Sequence, residues 1–467
     1  MPNKEFDLTQ GPILKKLLVI ALPMMGTQLF QMLYNLIDMF LVGQISSDAV
    51  AATGSAGMYL WLSVAFFIIG SMGAEIGVSQ NLGKKDTAMA KRFAESAGFI
   101  AIILGIVYGL AMILFADPLI RFLQIQEYEV IRDAADYLWI VSLSTPLTFL
   151  SFALNGAFNG AGNSRYSFYF KAWGLGLNII LSPLFIFVLG LGVPGAAMAT
   201  VIAQVFVCLV FLWAIKYHKS RPFEEFSYKN LFKYDKTVVS KIFKWTLPIS
   251  IESLCFTVLT MFINQAIALF GANALAIARV GSQVESLTWL IGGGFAAALT
   301  AYIGQNFGAQ KWGRIHRGFK ISLGVMAIYG VFVSLLMYFG AEAIIRLFIT
   351  DPKIIPLGVD YLQIFALVQL VECIGAIAAG AFRGVGKTQP PSIISIVFNV
   401  LRVFAAISLS QTALGLNGIW WGMAICNALR SLITFTWYKF YIKKEPRFDV
   451  PEAGLGDYPP KQKLAQR

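Results

Sequence analysis

Residues 17–43 of the chain read LLVIALPMMGTQLFQMLYNLIDMFLVG, a long apolar run with one charged side chain, Asp38. A helix needs about 20 mostly apolar residues to cross a bilayer, so this stretch predicts a membrane span. The whole chain has the same character, because 57% of its 467 residues are hydrophobic and 13% are charged. A soluble domain has roughly 25% charged residues. The sequence therefore predicts an all-α polytopic membrane protein and excludes a soluble globule, a disordered chain and an outer-membrane barrel.

Twelve stretches of this kind follow one another along the chain. We place the spans at 17–43, 53–79, 94–115, 137–157, 168–189, 194–215, 246–270, 281–303, 320–341, 360–381, 391–411 and 416–437. A polar segment with RPFEEFSYKNLFKYDK at residues 221–236 divides them into two groups of six. We expect four parts in the chain. They are an N-lobe at 1–216, a cytoplasmic linker at 217–244, a C-lobe at 245–437 and a cytoplasmic tail at 438–467.

The basic residues are distributed unevenly between the two sides of these spans. With both termini on one side, that side holds 31 of the 37 Lys and Arg residues, and the other side holds 5. Cytoplasmic loops collect Lys and Arg, so we expect a multi-pass protein of the cell (inner) membrane with both termini in the cytoplasm. The same bias accounts for the net charge of +12 and removes the reason to expect a nucleic-acid partner. The four cysteines lie in apolar runs and the two histidines lie in linkers. This distribution indicates neither disulfide bonds nor a metal site.

The two groups of six share short motifs in the same order. The motif QNLG at 80–83 recurs as QNFG at 305–308, and DYL at 136–138 recurs as DYL at 360–362. The motif GAFNGAG at 156–162 recurs as GAFRGVG at 380–386. Two more matches are Leu-Pro at 22–23 with 247–248 and LGxxG at 191–195 with 414–418. Five matches in the same order, at offsets of 223–225 residues, indicate a duplicated six-helix unit. Because six is an even number, the repeats are parallel, and two facing bundles predict alternating access.

Few charged side chains lie inside the spans, where each costs about 2.5–3.5 kcal/mol at the bilayer centre. Apart from residues near the span ends, they are Asp38, Glu75, Glu252, Glu285, Glu372 and Arg402. Such groups face the interior of a bundle, where they mark ion or substrate pathways or form structural ion pairs. A carboxyl group kept from water can take up a proton, or Na⁺ together with other oxygen ligands. We expect Arg402 to be an ion-pair partner of Glu372 or Glu252, or to contact substrate.

Taken together, these residues resemble the multidrug and toxic compound extrusion (MATE) family of transporters. The resemblance covers residues 11–437. Its motifs are Leu-Pro at 22–23, Tyr-Asn-x-x-Asp at 34–38, Val-Gly at 42–43, both Q-N-x-G and both GAFxGxG segments, NIILSP at 178–183 and LGxxG before the sixth and twelfth spans. The resemblance implies a twelve-helix, V-shaped, two-lobe carrier that exports organic cations in exchange for Na⁺ or H⁺.

The resemblance also implies an ion site in the N-lobe. Asp38 matches the family's helix 1 aspartate, the centre of that site, and Asn178 and Thr200 match further members, so Na⁺ can be expected at these three residues. Ser182 stands where related sequences often carry Asp. The loss of a second carboxylate leaves Na⁺ coupling and single-site H⁺ coupling open.

In the C-lobe the resemblance implies a second acidic region. Glu252 and Glu372 match positions linked to cation binding in the sodium-coupled branch, whereas Val368 stands where that branch tends to have Tyr. Pro23 matches the proline at which helix 1 has been proposed to bend. The chain fits neither branch of the family fully, so the sequence leaves the coupling ion open.

The sequence thus predicts a secondary active antiporter of organic cations and drugs that works by rocker-switch alternating access. We expect no cofactor, a monomer, and small organic cations and the lipid bilayer as partners. The alternative is a lipid or lipid-linked oligosaccharide flippase of the same superfamily. We expect neither an ATP-driven pump nor an enzyme, because the pattern GxxxxGK[ST] is absent and the two histidines lie far apart in linkers.

Overall fold

The computed structural model describes residues 7–125, 127–218, 221–223, 226–349 and 351–446, and all regular secondary structure in these ranges is helical. The helices are α1 (Ile13–Gly43), α2 (Ser47–Leu62), α3 (Val64–Gly83), α4 (Thr87–Leu114), α5 (Ala116–Phe122), α6 (Tyr128–Ser142), α7 (Thr145–Gly160), α8 (Ser164–Pro183), α9 (Gly192–Tyr217), α10 (Lys236–Ala268), α11 (Ala272–Gly308), α12 (Trp312–Phe339), α13 (Ala341–Arg346), α14 (Ile355–Gly384), α15 (Gln389–Ser410) and α16 (Leu416–Lys443). A π-helical turn, Leu184–Val188, extends α8, and a 3₁₀ helix, Tyr228–Phe232, precedes α10.

Each of the twelve predicted spans coincides with one long helix or with two consecutive helices. Nine helices of the described chain are long and apolar enough to cross a membrane. The second and fourth spans are each made of two helices, α2 with α3 and α6 with α7, which meet at bends of 41° and 53°. The twelfth span, α16, has 28 residues but is less apolar, since it includes Arg430. The predicted fold class, a two-lobe fold of two parallel six-span repeats, is confirmed. We call α1–α9 the N-lobe and α10–α16 the C-lobe, and the predicted bounds of the lobes, linker and tail stay a prediction.

The two bends have local causes in the sequence. Between α2 and α3 the hydroxyl of Ser63 donates to the carbonyl of Leu60 at 2.6 Å and competes with the backbone hydrogen bonds. Between α6 and α7, Pro146 lies in the first turn of α7, a position that suits proline but does not continue the preceding helix. The corresponding C-lobe helices, α11 and α14, run unbroken for 37 and 30 residues. The repeats therefore share their order of spans but not the shape of each span.

The duplicated GAFxGxG motif ends α7 and α14 and sets how closely these helices pack. A Cβ on Gly156 would clash with the backbone of α3, and one on Gly380 would clash with the backbone of α11. The last glycine of each motif has a positive φ, 81° at Gly162 and 74° at Gly386, which glycine adopts without strain. The motif thus combines small residues for close helix contact with a glycine for the turn.

The hydrophobic core differs between the two ends of the molecule. At the end that holds the start of α1 and the end of α16, here called the terminal end, each hydrophobic cluster combines both lobes. Leu17, Ile20 and Met24 of α1 pack among C-lobe side chains, whereas Ile242 and Trp245 of α10 pack among N-lobe side chains. At the opposite end each cluster is confined to one lobe. The lobes are therefore joined at the terminal end, and the cleft of the V opens at the opposite end.

Two duplicated glutamines connect the lobes at the terminal end. Gln80 Nε2 donates to the carbonyl of Gly384 at 2.9 Å, and Gln305 Nε2 donates to the carbonyl of Gly160 at 3.1 Å. Each bond runs from one lobe to the other, and all four residues belong to the repeated motifs. The same contact is thus made twice, in reciprocal directions.

The segment before α1 binds to the same end of the molecule. The Leu8 N–H donates to Gln305 Oε1 at 3.0 Å, and the Leu8 carbonyl accepts from Asn306 Nδ2 at 3.2 Å and from Arg314 at 3.1 Å. Near the other end of the described chain, the Pro446 carbonyl lies 3.1 Å from Nε2 of His316 in α12. Both ends of the described chain therefore contact the last turn of α11 or the first residues of α12.

Candidate functional site

Asp38 lies near the C-terminal end of α1, where its carboxylate meets α6. Tyr137 Oη donates to Asp38 Oδ2 at 3.2 Å, and Asp38 Oδ1 is buried with no hydrogen-bond partner among the described residues. Tyr34, one turn earlier on α1, and Thr200 of α9 lie beside this pair. Their hydroxyl oxygens are also buried and, within the described ranges, have no hydrogen-bond partner. The structure thus gathers one carboxylate and three hydroxyl groups from α1, α6 and α9.

Asn178 and Ser182 lie one turn apart on α8 and are fully buried in the N-lobe. The helix that carries them packs against α1 and α9, the helices of Asp38 and Thr200. In the part of the chain that the structure describes, the polar side-chain atoms of Asn178 and Ser182 have no hydrogen-bond partner. Carboxylate, amide and hydroxyl oxygens are the ligands that hard cations prefer. Of the four predicted N-lobe residues, the structure brings Asp38 and Thr200 together and places the other two on a neighbouring helix.

The tyrosine that holds Asp38 was not predicted as a site residue. Tyr137 is the central residue of the first DYL motif, so the repeat did single it out. Its partner could not be read from the sequence, because Asp38 lies 99 residues earlier on another helix. The duplicated motif therefore indicates that Tyr137 is a notable residue, but it does not predict the hydrogen bond from Tyr137 to Asp38.

A lysine also lies inside the N-lobe. Lys171 is among the 31 basic residues that the sequence places on the side of both termini. The structure instead places its Nζ atom 4.5 Å from the centre of the Phe152 ring. Lys171 lines a small cavity of about 40 Å³ together with Thr27, Gln31 and Tyr34. The interior of the N-lobe therefore carries a positive charge as well as the negative charge of its aspartate.

A larger cavity of about 350 Å³ lies in the C-lobe and reaches α3 of the N-lobe. Both carboxylates predicted for this lobe, Glu252 and Glu372, line the cavity. Aromatic and basic side chains also line the cavity. They include Phe256, Trp289, Arg383 and Arg430. The cavity thus combines two carboxylates, two guanidinium groups and aromatic surface.

Each carboxylate of this cavity accepts a hydrogen bond from an uncharged donor. Ser392 Oγ donates to Glu252 Oε2 at 2.7 Å, and Trp289 Nε1 donates to Glu372 Oε2 at 3.3 Å. Arg430 lies 4.0 Å from the other oxygen of Glu372. The structure therefore brings the two predicted glutamates to one cavity, each oriented by its own partner.

The position of Arg402 differs from the prediction. Within the described ranges it forms no ion pair of 4.0 Å or less with Glu372 or Glu252, and it donates to Thr260 Oγ1 at 3.1 Å instead. Arg430 takes the position near Glu372, because α16 packs against α14. Arg430 is among the 31 basic residues counted on the side of both termini, because the sequence does not show how deep a residue near a span end lies.

Pro23 lies inside α1, which the structure describes as one helix from Ile13 to Gly43. Proline has no N–H group, so α1 lacks one backbone hydrogen bond at this point. The carbonyl of Pro23 accepts from Thr27 Oγ1 at 2.9 Å. Helix α1 is continuous here, and a bend at this proline stays a prediction.

Two further carboxylates within the spans lie outside these sites. Glu75 of α3 is buried at the boundary between the lobes and faces Arg383 of α14. Glu285 of α11 accepts a short hydrogen bond from Tyr361 of α14. Neither glutamate is among the residues that line the C-lobe cavity.

Curated relatives of the chain are named as multidrug proteins. The probable multidrug resistance protein NorM of Thermotoga maritima is 29% identical over 438 residues, which cover 91% of this chain and 92% of the relative. The multidrug export protein MepA of Staphylococcus aureus is 26% identical over 429 residues, which cover 91% of this chain and 93% of the relative. The similarity thus extends over nearly the whole length of each protein.

Solved structures with a similar fold include a MATE protein in complex with MaD5, at a TM-score of 0.86 and 23% identity. An outward-facing multidrug resistance MATE family transporter of the MOP superfamily has the same TM-score at 22% identity. Each covers 95% of this chain and 99% of the solved chain. A Pyrococcus furiosus transporter of the same superfamily, described by the reverse polarity of its binding pocket, also has a TM-score of 0.86. These similarities establish the two-lobe, twelve-helix fold.

The sequence profile of the MatE family matches residues 23–184 and 248–434, which take in most of both lobes. Its members are transporters rather than enzymes. The profile match, the multidrug relatives and the shared fold agree with the resemblance that the sequence motifs indicate. The chain therefore belongs to the MatE family.

Proposed function

We propose that this chain is a secondary active antiporter that exports organic cations, drugs among them, in exchange for Na⁺ or H⁺. The observation that carries the proposal is the carboxylate of Asp38, which Tyr137 holds through one oxygen while the other has no partner among the described residues. A carboxylate within a membrane is costly unless a cation neutralises it. Asp38 therefore has both the charge and a free oxygen for a small inorganic cation. The names of the multidrug relatives support the class of cargo.

The arrangement of the lobes supports alternating access by a rocker-switch movement. They share hydrophobic clusters at the terminal end and have separate clusters at the opposite end. In this state an inorganic cation enters from the open end, binds at Asp38 or in the region of Glu252 and Glu372, and promotes release of the organic cation. The lobes then rock, the terminal end opens, the inorganic cation leaves and the next organic cation binds.

The C-lobe cavity supports an aromatic cation as cargo. The carboxylates of Glu252 and Glu372 attract positive charge, and the ring of Trp289 offers a cation–π contact of about 0.5–2 kcal/mol. A volume of about 350 Å³ is in the range of ligand pockets. Because two guanidinium groups in the wall oppose a cation, cargo binding depends on the glutamates being ionised. An inorganic cation that neutralises them therefore competes with the cargo.

The expected surroundings of the protein follow from the same proposal. We place it as a monomer in the lipid of the cell membrane with the terminal end in the cytoplasm, which the excess of Lys and Arg on that side supports. In this orientation the structure is open to the outside. A lipid or lipid-linked oligosaccharide flippase is not favoured, because the curated relatives are named as multidrug proteins.

Efflux from proteoliposomes that contain the purified protein tests the function. A Na⁺ gradient and a pH gradient are imposed separately, and the movement of a fluorescent organic cation such as ethidium is measured. We expect one gradient to drive efflux. Asp38→Asn keeps the size of the side chain but removes its charge, so the driven rate should fall by about tenfold or more, the equivalent of about 1.4 kcal/mol in activation free energy.

The matched control is Asp48→Asn, which changes an exposed aspartate in the first turn of α2 and should leave the rate unchanged. Wild-type rates in Asp38→Asn and in the double variant Glu252→Gln/Glu372→Gln would refute the mechanism. Absence of efflux under both gradients would refute the transport function itself.

A further inference from the structure

Two tyrosines at equivalent positions in the repeats each donate to a carboxylate. Tyr137 belongs to the DYL motif of the N-lobe and bonds to Asp38, whereas Tyr361 belongs to the DYL motif of the C-lobe and bonds to Glu285. The tyrosines are 224 residues apart and occupy the fourth span of each lobe. A tyrosine that holds a carboxylate is thus common to both repeats.

The carboxylates themselves are not equivalent in sequence. Asp38 lies on α1, the first span of the N-lobe, whereas Glu285 lies on α11, the second span of the C-lobe. The C-lobe residue that corresponds to Asp38, 225 residues later, is the buried apolar Ile263. The C-lobe therefore forms the same carboxylate–tyrosine pair with an acidic residue from a different helix.

The surroundings of Tyr361 fix the position of its hydroxyl group. Gly281, one turn before Glu285 on α11, lies so close to the tyrosine ring that a Cβ would overlap it. The ring also packs against Phe365 and Trp420, with 4.7 and 4.8 Å between ring centres. Glu285 therefore accepts its hydrogen bond from a donor that packing holds on several sides.

Glu285 is 6% exposed and forms no ion pair of 4.0 Å or less within the described residues. Charged or titratable groups on four neighbouring helices face it or the residues next to it. They are Tyr361 and Glu372 of α14, Arg402 of α15, Arg430 and Cys426 of α16, and Tyr329 of α12. Two atoms of this group, Glu372 Oε1 and Arg402 Nε, are buried and have no hydrogen-bond partner in the described chain. A carboxylate buried without a cation in contact gains from the uptake of a proton or Na⁺.

We propose that Glu285, positioned by Tyr361, is a second carboxylate that takes up and releases the coupling ion, a proton or Na⁺. The proposal rests on the antiport function proposed above and adds a C-lobe ion site apart from the glutamates that line the cavity. One coupling cation would then bind at Asp38 and another at Glu285 in each transport cycle.

The neighbouring charges explain how a cation at Glu285 would expel the cargo. With Glu285, Glu372, Arg402 and Arg430 all ionised, the formal charges of the cluster cancel. A cation that neutralises Glu285 leaves both guanidinium groups to act on Glu372, which also lines the cavity. The cavity then attracts an organic cation less strongly. Binding of the two kinds of ion is therefore antagonistic, as antiport requires.

The test measures binding of tetraphenylphosphonium to the purified protein in detergent, over a range of pH and, at fixed pH, of Na⁺ concentration. Each coupling ion that leaves when tetraphenylphosphonium binds adds about one to the magnitude of the slope, since log Kd falls as the pH rises and rises with log Na⁺ concentration. We expect a limiting slope of about two for the wild type and about one for Glu285→Gln or Asp38→Asn. Glu285→Asp keeps the carboxylate and should restore part of the slope that Glu285→Gln loses.

Tyr361→Phe provides a second variant that removes one hydrogen bond and no charge from the ion site. The slope should stay near that of the wild type, while the midpoint of the pH or Na⁺ dependence should move. The matched variant is Tyr137→Phe, which removes the equivalent hydroxyl group from the Asp38 site and should act in the same way.

The outcomes separate this proposal from the function on which it rests. A wild-type slope in Glu285→Gln beside a reduced slope in Asp38→Asn overturns the role of Glu285 and leaves antiport intact. If Glu285→Gln does not fold, Tyr361→Phe decides, since an unchanged midpoint overturns the proposal and a moved midpoint supports it. Wild-type binding that responds to neither pH nor Na⁺ contradicts antiport itself.

Discussion

At the scale of single residues, the carboxylates inside this protein are held mainly by uncharged donors. Asp38 and Glu285 accept from tyrosines, Glu252 accepts from a serine and Glu372 from a tryptophan. No guanidinium or ammonium group of the described chain lies closer than 4.0 Å to any of them. Uncharged donors orient a carboxylate without cancelling its charge. These groups therefore keep the negative charge that the exchange of one cation for another requires.

Lys171 introduces the opposite charge into the N-lobe, beside Tyr34 in the wall of a cavity and over the ring of Phe152. Lys171→Met keeps an unbranched side chain that can contact the ring but removes the charge. We expect tetraphenylphosphonium to bind about fivefold more tightly, the equivalent of about 1 kcal/mol, because like charges repel each other more strongly inside a protein than in water. Equilibrium binding measures the change. Lys171→Arg keeps the charge and should match the wild type, whereas weaker binding by Lys171→Met would contradict this account.

The sequence supports the choice of Asp38, Glu252 and Glu372 as candidates, because a charge in the middle of an apolar run is conspicuous. It does not reveal that Lys171 and Arg430 lie inside the lobes. A basic residue near the end of a span has the same sequence signature whether it reaches water or turns inward. Its depth depends on how the neighbouring helices pack, and that is a property of the tertiary structure.

At the scale of elements, α10 is one of the two helices whose first turns pack in the core of the other lobe, so the residue at which it begins matters. Asp235 caps this helix: Oδ1 accepts from the Thr237 N–H at 3.1 Å, the Thr237 hydroxyl at 2.6 Å and the Val238 N–H at 3.3 Å. The bond from the Thr237 hydroxyl holds the pKa of Asp235 below its usual value. The folded state therefore favours the ionised form of this carboxyl group.

Asp235→Ala removes the cap and should lower stability by about 1 kcal/mol, seen as a lower Tm in detergent. Because the pKa of Asp235 is lower in the folded than in the unfolded chain, the advantage of the wild type should be full at neutral pH. It should shrink as the pH falls through the range in which Asp235 becomes protonated. Asp235→Asn can still cap the helix and is the control. An advantage that grows toward acidic pH would speak against the cap.

Span positions follow from hydropathy, but the shorter elements were not predicted. Helices α5 and α13 follow the third and ninth spans, and each carries one exposed ion pair, Asp117 with Arg121 at 2.6 Å and Glu342 with Arg346 at 2.7 Å. The two pairs are 225 residues apart, so they belong to the repeat. Helices of six or seven residues leave no hydropathy signal, and their form depends on the longer helices that they follow.

At the scale of the whole molecule, the contact between the lobes is the feature that transport has to break. The first turns of α1 and α10 each pack in the opposite lobe, and the bonds of Gln80 and Gln305 cross between lobes. The duplicated motifs predicted two facing bundles. The motifs do not predict that the first turns of α1 and α10 pack in the opposite lobe. A repeat shows which residues of the two lobes are equivalent, but it does not show which lobe each residue contacts.

A disulfide across this boundary tests whether the lobes must part. A Cβ built on Gly304 of α11 lies 2.8 Å from Cβ of Ser79 on α3, and a disulfide requires roughly 3.5–4.5 Å between the two Cβ atoms, so a small shift is enough. We expect oxidation of Ser79→Cys/Gly304→Cys to stop gradient-driven efflux and reduction to restore it. The reason is that crosslinked lobes cannot open the terminal end.

The two single variants cannot form this crosslink and serve as controls, and the four native cysteines of the described chain are free. Mass spectrometry confirms the crosslink before transport is measured. Full efflux by the crosslinked double variant would rule out the rocker-switch movement.

The reciprocal bonds of Gln80 and Gln305 also bear on how such a chain can be rebuilt. Each glutamine binds a carbonyl that the other repeat supplies, so one six-span half contains both the donor and the acceptor needed to bind a copy of itself. Two N-terminal halves would meet through Gln80 and Gly160 of each, an isologous contact about a two-fold axis along the membrane normal. The chain can therefore be regarded as a fused homodimer, in which the acidic residues mark where the two subunits have become different.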